Sequence, residues 1–396
     1  MTIAQRVSRR LRSWANWRCQ EPIVVIESDD WCLYRRRCDH LVAQFGEASE
    51  WAQESLETKD DLDALADVLR RHRACVTANV VVANPDSERI AASGFTEYSD
   101  VAIDVGLNPG LLTKFKNMMG EGLLVPQYHA RRHLSPSLWL KDLQADEPGA
   151  RLLLKEGVGP ALAFRKGSSR RYHAEYLDWP NNREYTCDEI LGFLKPGLEI
   201  FQRVFGMASV STIAPAYMFG SQAVRAWRAA GLKYIQGANY RLMPRNGSGE
   251  VVHSCYIGQK ATDLLMLARH VKFEPRPQRP QHGWKHAFAA AQSLIDRNIP
   301  VIIDTHRINY TGQFREHGLR SIDQLLTGFD SLGVKYLSTV ELGTAINDSG
   351  VYAARVSGTE QRLTPLAGTA QMVSRKILKF NDEMGYGQRQ MSEGRC

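Results

Sequence analysis

Cysteines at close, motif-like spacing are missing from this sequence. Its seven cysteines, at positions 19, 32, 38, 75, 187, 255 and 396, are scattered and include no Cys-x-x-Cys pair. That argues against a disulfide framework and a thiolate zinc site, and it fits a reducing compartment. No apolar run near the N-terminus is long enough for a leader or a membrane span, so a cytoplasmic protein is expected. No Gly-x-Gly-x-x-Gly follows an apolar run and no P-loop occurs, which removes the usual cradles for dinucleotides and nucleotides. The formal charge of +7 over 396 residues is modest, and no basic run is interleaved with aromatics. Nucleic acid is therefore not an expected partner.

What is present is a succession of short apolar runs that end in polar residues. It opens with Ile23-Val24-Val25-Ile26-Glu27-Ser28-Asp29-Asp30-Trp31. Four branched apolar residues read as a buried parallel strand. The adjacent carboxylates at its end repel each other and cost desolvation unless a metal or a shared proton relieves them; a helix cap or a solvated loop is the plain alternative. Helical spacing over Lys59 to Arg73 leads into a strand at 75–82, and a helix at about 110–119 into a strand at 123–129. Helices over 187–205, 222–230, 284–297 and 319–332 alternate with strands at 209–215, 233–236, 301–306 and 334–337. Roughly seven alternations with polar strand ends predict an α/β fold, a distorted TIM-type (β/α)7 barrel over residues 21–348.

Three stretches stand outside that rhythm. Residues 135–178 read as an insertion over one end of the barrel, and 349–396 as a polar tail with room for one helix near 370–380. In residues 1–20, Ile3, Val7, Leu11, Trp14 and Trp17 share a helical face while Arg6, Arg9, Arg10, Arg12 and Arg18 supply charge. Such a helix lies on an anionic membrane through residues 1–19 or packs across the barrel floor.

The chemistry-bearing residues cluster at strand ends. His129 and His133, four apart, share one side of a helical turn and can bind one metal; with the Asp pair they make a His/His/Asp set that suits Zn²⁺, with Co²⁺, Ni²⁺ and Mn²⁺ also acceptable. His306 ends a late strand, where an imidazole with an unperturbed pKa of about 6.5 serves as a general acid, and Asp304 is placed to orient it. Each has a plainer reading as a surface or core histidine. Trp31, Trp139 and Tyr172 are candidates to stack on a sugar, though tryptophans more often fill cores.

The order Ser28-Asp29-Asp30, then His129-x-x-x-His133, then Ala214-Pro215-Ala216-Tyr217, then His306 resembles the polysaccharide deacetylases of the nodulation type, carbohydrate esterase family four. The phrases Glu27-Ser28-Asp29-Asp30-Trp31 and Asp304-Thr305-His306-Arg307-Ile308-Asn309-Tyr310 resemble a bacterial polysaccharide (de)acetylase-like branch of it. The resemblance covers motifs over about residues 23–310. It implies Asp29 as catalytic base, Asp30, His129 and His133 as metal ligands, His306 as general acid, and the backbone N–H of Tyr217 as an oxyanion donor. The family arginine that steadies the base is replaced here by Ala214; Arg269, Arg307 or Arg131 remain as substitutes. Trp31, Arg307, Arg269 and Asp304 are the residues expected to meet substrate.

Together these readings predict a metal-dependent hydrolase that removes an N-acyl group from an amino sugar in a glycan or glycoconjugate, by metal-activated water with an Asp base and a His acid. A cytoplasmic or inner-leaflet substrate, such as a lipid-linked sugar, follows from the basic N-terminus. The alternative is a non-catalytic carbohydrate-binding or scaffold barrel of a polysaccharide assembly complex, which loss of the motif arginine favours. A third reading keeps the metal and hydrolyses an ester or phosphoester.

Overall fold

A computed structural model describes residues 16–35, 54–159, 172–244, 250–277 and 279–349. The amphipathic helix expected over most of residues 1–20 and the tail beyond 349 lie outside them. Residues 16–20 are not helical: the Trp17 and Cys19 N–H groups donate to Ile257 O (2.9 Å) and Asn298 O (2.8 Å), which fastens this segment to the barrel floor.

The barrel is a ring of parallel strands: β1 (Ile23–Trp31), β2 (Val76–Val81), β3 (Leu124–Ala130), β4 (Ser211–Ile213), β5 (Tyr234–Ala238), β6 (Leu264–Arg269) and β7 (Val301–His306). Every residue of β1, β2 and β6 is buried, as expected of strands covered on both faces. β1 pairs with β2 and β7, β2 with β3, β3 with β4, β4 with β5, and β5 with β6. Closure comes from the chain just past β6. Val271–Lys272 pairs with Ile303 and Asp304 of β7, and the His270 N–H donates to Ile302 O at 3.2 Å. The ring therefore has seven strands, in agreement with the predicted (β/α)7 barrel.

One member of the ring differs from expectation. The predicted last strand is only Lys335–Tyr336, attached to the start of β1. The sixth barrel strand is instead Leu264–Arg269, a run of five apolar residues closed by an arginine. Helices α1 (Lys59–His72), α2 (Pro109–Gly120), α3 (Pro136–Gln144), α4 (Pro148–Lys155), α5 (Cys187–Phe205), α6 (Ser221–Ala229), α7 (Trp284–Ile295), α8 (Arg315–Ser331) and α9 (Thr339–Asp348) surround the barrel and cover the insertion. Capping boxes start α1 (Thr58, Asp61), α5 (Thr186, Glu189) and α9 (Ser338, Glu341), each satisfying free N–H groups of a first turn. Cys187, at the head of α5, is disulfide-bonded, which departs from the expectation of cysteines in a reducing compartment. Among the described residues no helix is long and apolar enough to cross a membrane.

Candidate active site

Two strand bulges and a group of left-handed residues build the open end of the barrel. On β1 the register against β2 slips between Ser28 and Trp31, and Asp30 adopts φ 71°. In a regular strand Asp29 and Asp30 would face opposite sides; the slip and the left-handed turn bring both carboxylates to the site. On β3, Val80 faces Tyr128 and Val81 faces Ala130, so His129 is the additional residue of a second irregularity. His133 returns through a bend with φ 56°, so the expected helical turn between the two histidines is absent. Ala216 (52°) and Tyr217 (60°) are left-handed too. Such backbone costs about 1–3 kcal/mol at each non-glycine residue, so its concentration here marks a place where geometry outranks stability.

Asp30, His129 and His133 offer ligand atoms that all lie within 4.8 Å of one another. The Nε2 atoms of His129 and His133 stand 3.2 and 3.1 Å from Asp30 Oδ1. Nδ1 of His129 lies 3.0 Å from Ile213 O, a contact that places the ring proton on Nδ1 and leaves the Nε2 lone pair facing Asp30. Burial would push the Asp30 carboxyl up, but the neighbouring histidines hold it well below the usual range. Two imidazole nitrogens and one ionised carboxylate, all buried, are the donor set a divalent ion such as Zn²⁺ takes in catalytic sites, so the residues present fit the expected metal.

Asp29 sits beside this set and is held by a guanidinium from across the barrel. Arg269 Nη1 donates to Oδ2 and Nη2 to Oδ1, both at 2.7 Å, and Asn79 Nδ2 donates to Oδ1 at 2.7 Å. Burial raises the Asp29 carboxyl, but Arg269 outweighs it and the pKa falls below the usual value. The same guanidinium serves Glu27 (Nε to Oε2, 2.6 Å) and Asp304 (Nη1 to Oδ1, 3.1 Å). Glu27, two residues before Asp29 on β1, takes a bond from Thr339 Oγ1 at 2.7 Å; burial, opposed by Arg269, raises its pKa to about 7. Of the three arginines named as substitutes, Arg269 is the one that binds Asp29. Arg131 pairs with Asp100, and Arg307, fully buried, binds Glu54, Glu57 and Leu33 O at 2.7 Å each.

His306 faces Asp29 in the β1–β7 register, with Nε2 4.0 Å from Asp29 Oδ2. Its Nδ1 meets Glu274 Oε1 at 2.5 Å. Burial lowers the imidazole pKa, but the charge and hydrogen bond of Glu274 prevail and raise it to about 9. Glu274, reciprocally, lies well below the usual range. Glu274, and not Asp304, is therefore the orienting carboxylate; Asp304 is engaged by Arg269 and Lys272.

Other expectations change with the coordinates. Trp31 is 1% exposed and packs edge-on against Phe115 at 5.6 Å, and Trp139 and Tyr172 are fully buried in the insertion core, so none of the three faces a substrate. Arg307 is likewise bound up in buried ion pairs, and Arg269 and Asp304 belong to the charge network around Asp29. The Tyr217 N–H donates to Ala214 O at 2.9 Å within a tight turn, which occupies the expected oxyanion donor. The Tyr217 phenol is pushed well up by burial and by Asp304. The site also contains Asn79, Gln236, Glu274 and His173, which sequence reasoning passed over. Asn79 is a buried polar residue inside the strand 76–81, flanked by Ala78 and Val80, and a polar side chain in the middle of a buried strand is the signal that could have found it. Glu274 comes from an irregular loop, and nothing in its spacing pointed to His306.

No family model and no curated protein matches the chain. Solved structures do match. A family 4 acetyl xylan esterase from Clostridium thermocellum in complex with a cobalt ion is 11% identical, with 82% of this chain and 91% of that one covered and a TM-score of 0.37. A family 4 pseudoenzyme from Bacillus anthracis is 10% identical (82% and 66% covered, TM-score 0.38). A peptidoglycan deacetylase from Bacillus subtilis is 7% identical (84% and 94% covered, TM-score 0.37). The chain is similar in fold to carbohydrate esterases of family 4. At such identities the likeness concerns the barrel alone, and what this chain does must be read from its own side chains.

Proposed function

We propose that this chain is a metal-dependent hydrolase that removes the N-acyl group of an amino sugar in a glycan or glycoconjugate. The observation that carries the reading is the pairing of an ionised base with a protonated acid beside a three-donor metal set. Asp29 is gripped by Arg269 at 2.7 Å, and His306 is kept charged by Glu274 at 4.0 Å from Asp29. Two titratable groups driven apart in this way are the mark of an acid and base with divided work.

A divalent ion held by Asp30, His129 and His133 would supply a Lewis acid and ease the ionisation of water. The chain's own groups do the rest. Asp29 Oδ2 accepts one bond from Arg269 and has acceptor capacity left on the side of His306, so it takes the proton of the attacking water there. Arg269 and Asn79 fix the carboxylate's orientation. His306 Nε2 gives its proton to the departing amine, and Glu274 both orients the ring through Nδ1 and stabilises the charged form.

The scaffold alternative loses its main support, because the guanidinium that Ala214 fails to provide is supplied by Arg269. The five arginines among residues 1–19 support a lipid-linked sugar at an anionic surface as substrate. A cytoplasmic or inner-leaflet face was expected from the lack of a visible export signal together with the basic N-terminus, and the Cys187 disulfide weighs against a reducing compartment. The test is acetate or formate release from N-acylated sugars by metal-loaded protein. Wild-type protein releases it and Asp29→Asn does not. No release from any linkage, or equal release by the variant, contradicts the proposal.

A further inference from the structure

The turn that carries His133 is held from behind by residues of the insertion. Glu175, 1% exposed, accepts the backbone N–H groups of Arg131 (3.2 Å), Arg132 (3.3 Å) and His133 (3.0 Å). Successive N–H groups closing on one carboxylate form an anion nest, which fixes the path of the bend. The Ser135 N–H, just beyond, donates to Tyr172 O at 2.6 Å. His173, 5% exposed, reaches the ligand itself: its Nδ1 lies 3.1 Å from His133 Nδ1, with ring centroids 5.0 Å apart.

Two ring nitrogens at that distance must share one proton. His133 presents Nε2 to Asp30 at 3.1 Å, and a ligating Nε2 needs a bare lone pair, so the proton of a neutral His133 sits on Nδ1. His173 Nδ1 is then the acceptor and its own proton is on Nε2, which is buried and finds no partner among the described residues. Leaving a buried N–H without a partner has a cost, which suits a group retained for what its other nitrogen does. Histidine ligands commonly lean on a carboxylate or a carbonyl; here a neutral imidazole takes that place.

We propose that His173 is a positioning residue that fixes the tautomer and orientation of His133 for metal binding, with Glu175 holding the strained backbone on which His133 stands. The inference rests on the assignment of Asp30, His129 and His133 as a metal site. It gives the insertion a task beyond covering the barrel: its last described segment completes the metal site from outside the ligand set.

The test compares wild-type protein, His173→Ala and His173→Asn by direct titration with Zn²⁺, and by the visible absorption of the Co²⁺ forms. Asparagine places an acceptor oxygen near the position of Nδ1, whereas alanine offers none. Alanine is expected to weaken Zn²⁺ binding by about 10- to 100-fold and to change the Co²⁺ spectrum, and asparagine to stay within about threefold of wild type. Apo-protein unfolding midpoints, measured alongside, are expected to be similar for the two variants. A merely structural role would lower the midpoint with alanine and leave the metal constants alone, and that result overturns the proposal. So does an asparagine variant as weak as alanine. If wild-type protein binds no Zn²⁺, the metal-site assignment itself falls, which is a different outcome from equal binding by all three proteins.

Discussion

Replacing Arg269 with glutamine is expected to lower kcat by about 10²- to 10⁴-fold, the range spanned by general acid and base contributions. The side chain is 1% exposed and is gripped by Glu27, Asp29 and Asp304 at once. Removing its charge leaves three buried carboxylates without their common cation. The protein is then expected to lose about 3–5 kcal/mol, the usual penalty for breaking a buried pair by deleting one partner. Asp29 would also lose the fork that orients it, and burial would push its pKa up, so the base would be both misplaced and partly protonated. Arg269→Lys restores the charge but not the two parallel bonds, so most of the kcat loss should remain while part of the stability returns. Steady-state kinetics with a denaturant titration of the same preparations separates the two effects. A glutamine variant with kcat within threefold of wild type would remove Arg269 from the account.

The second large effect is on pH dependence. His306 is raised to about 9, chiefly because the Glu274 charge and its 2.5 Å bond to Nδ1 outweigh burial. The acid form is needed for protonating the amine, so wild-type activity should hold until the pH nears 9 and fall above it. Glu274→Gln removes the charge that favours the imidazolium. The alkaline limb must therefore move down, toward the ordinary imidazole value of about 6.5. At pH 8 a group titrating at about 9 is roughly 90% protonated and one at about 6.5 roughly 3%, so the variant should be about 30-fold slower there. Near pH 6 the difference should shrink to about 1.3-fold, because both proteins then largely hold the proton. A profile whose alkaline limb does not move would assign that limb to another group.

Much of the barrel was legible because parallel strands covered on both faces carry continuous apolar runs, and 23–26, 80–82 and 301–303 are such runs. The sixth strand escaped. Leu264–Arg269 follows a short β-hairpin-like pair at Lys260–Ala261 instead of a helix, so the alternation that exposed its neighbours is interrupted before it. The two-residue Lys335–Tyr336 took its place in the count. The ligand and acid positions could be proposed from strand ends, but their convergence could not, since it depends on a bulge at Asp30, another at His129 and a left-handed His133, none of which has a glycine to announce it.

The partners of those residues were harder. Glu274 lies 32 residues from His306, Arg269 lies 240 from Asp29, and His173 lies 40 from His133. Only closure of the ring and folding of the insertion bring them together. Trp31 misled in the opposite direction: an aromatic beside an acidic pair at a strand end invites a sugar-stacking role, yet the strand irregularity that presents the acids also turns the indole into the core against Phe115.

The most direct measurement is deacetylation of an N-acetylated sugar substrate by stripped protein to which a divalent ion is returned in measured steps. Turnover should rise in proportion to bound ion, level off at one ion per chain, and be absent from Asp30→Asn at every step. Turnover that survives stripping, or that is the same in Asp30→Asn, would contradict the assignment of Asp30, His129 and His133 and the function built on it.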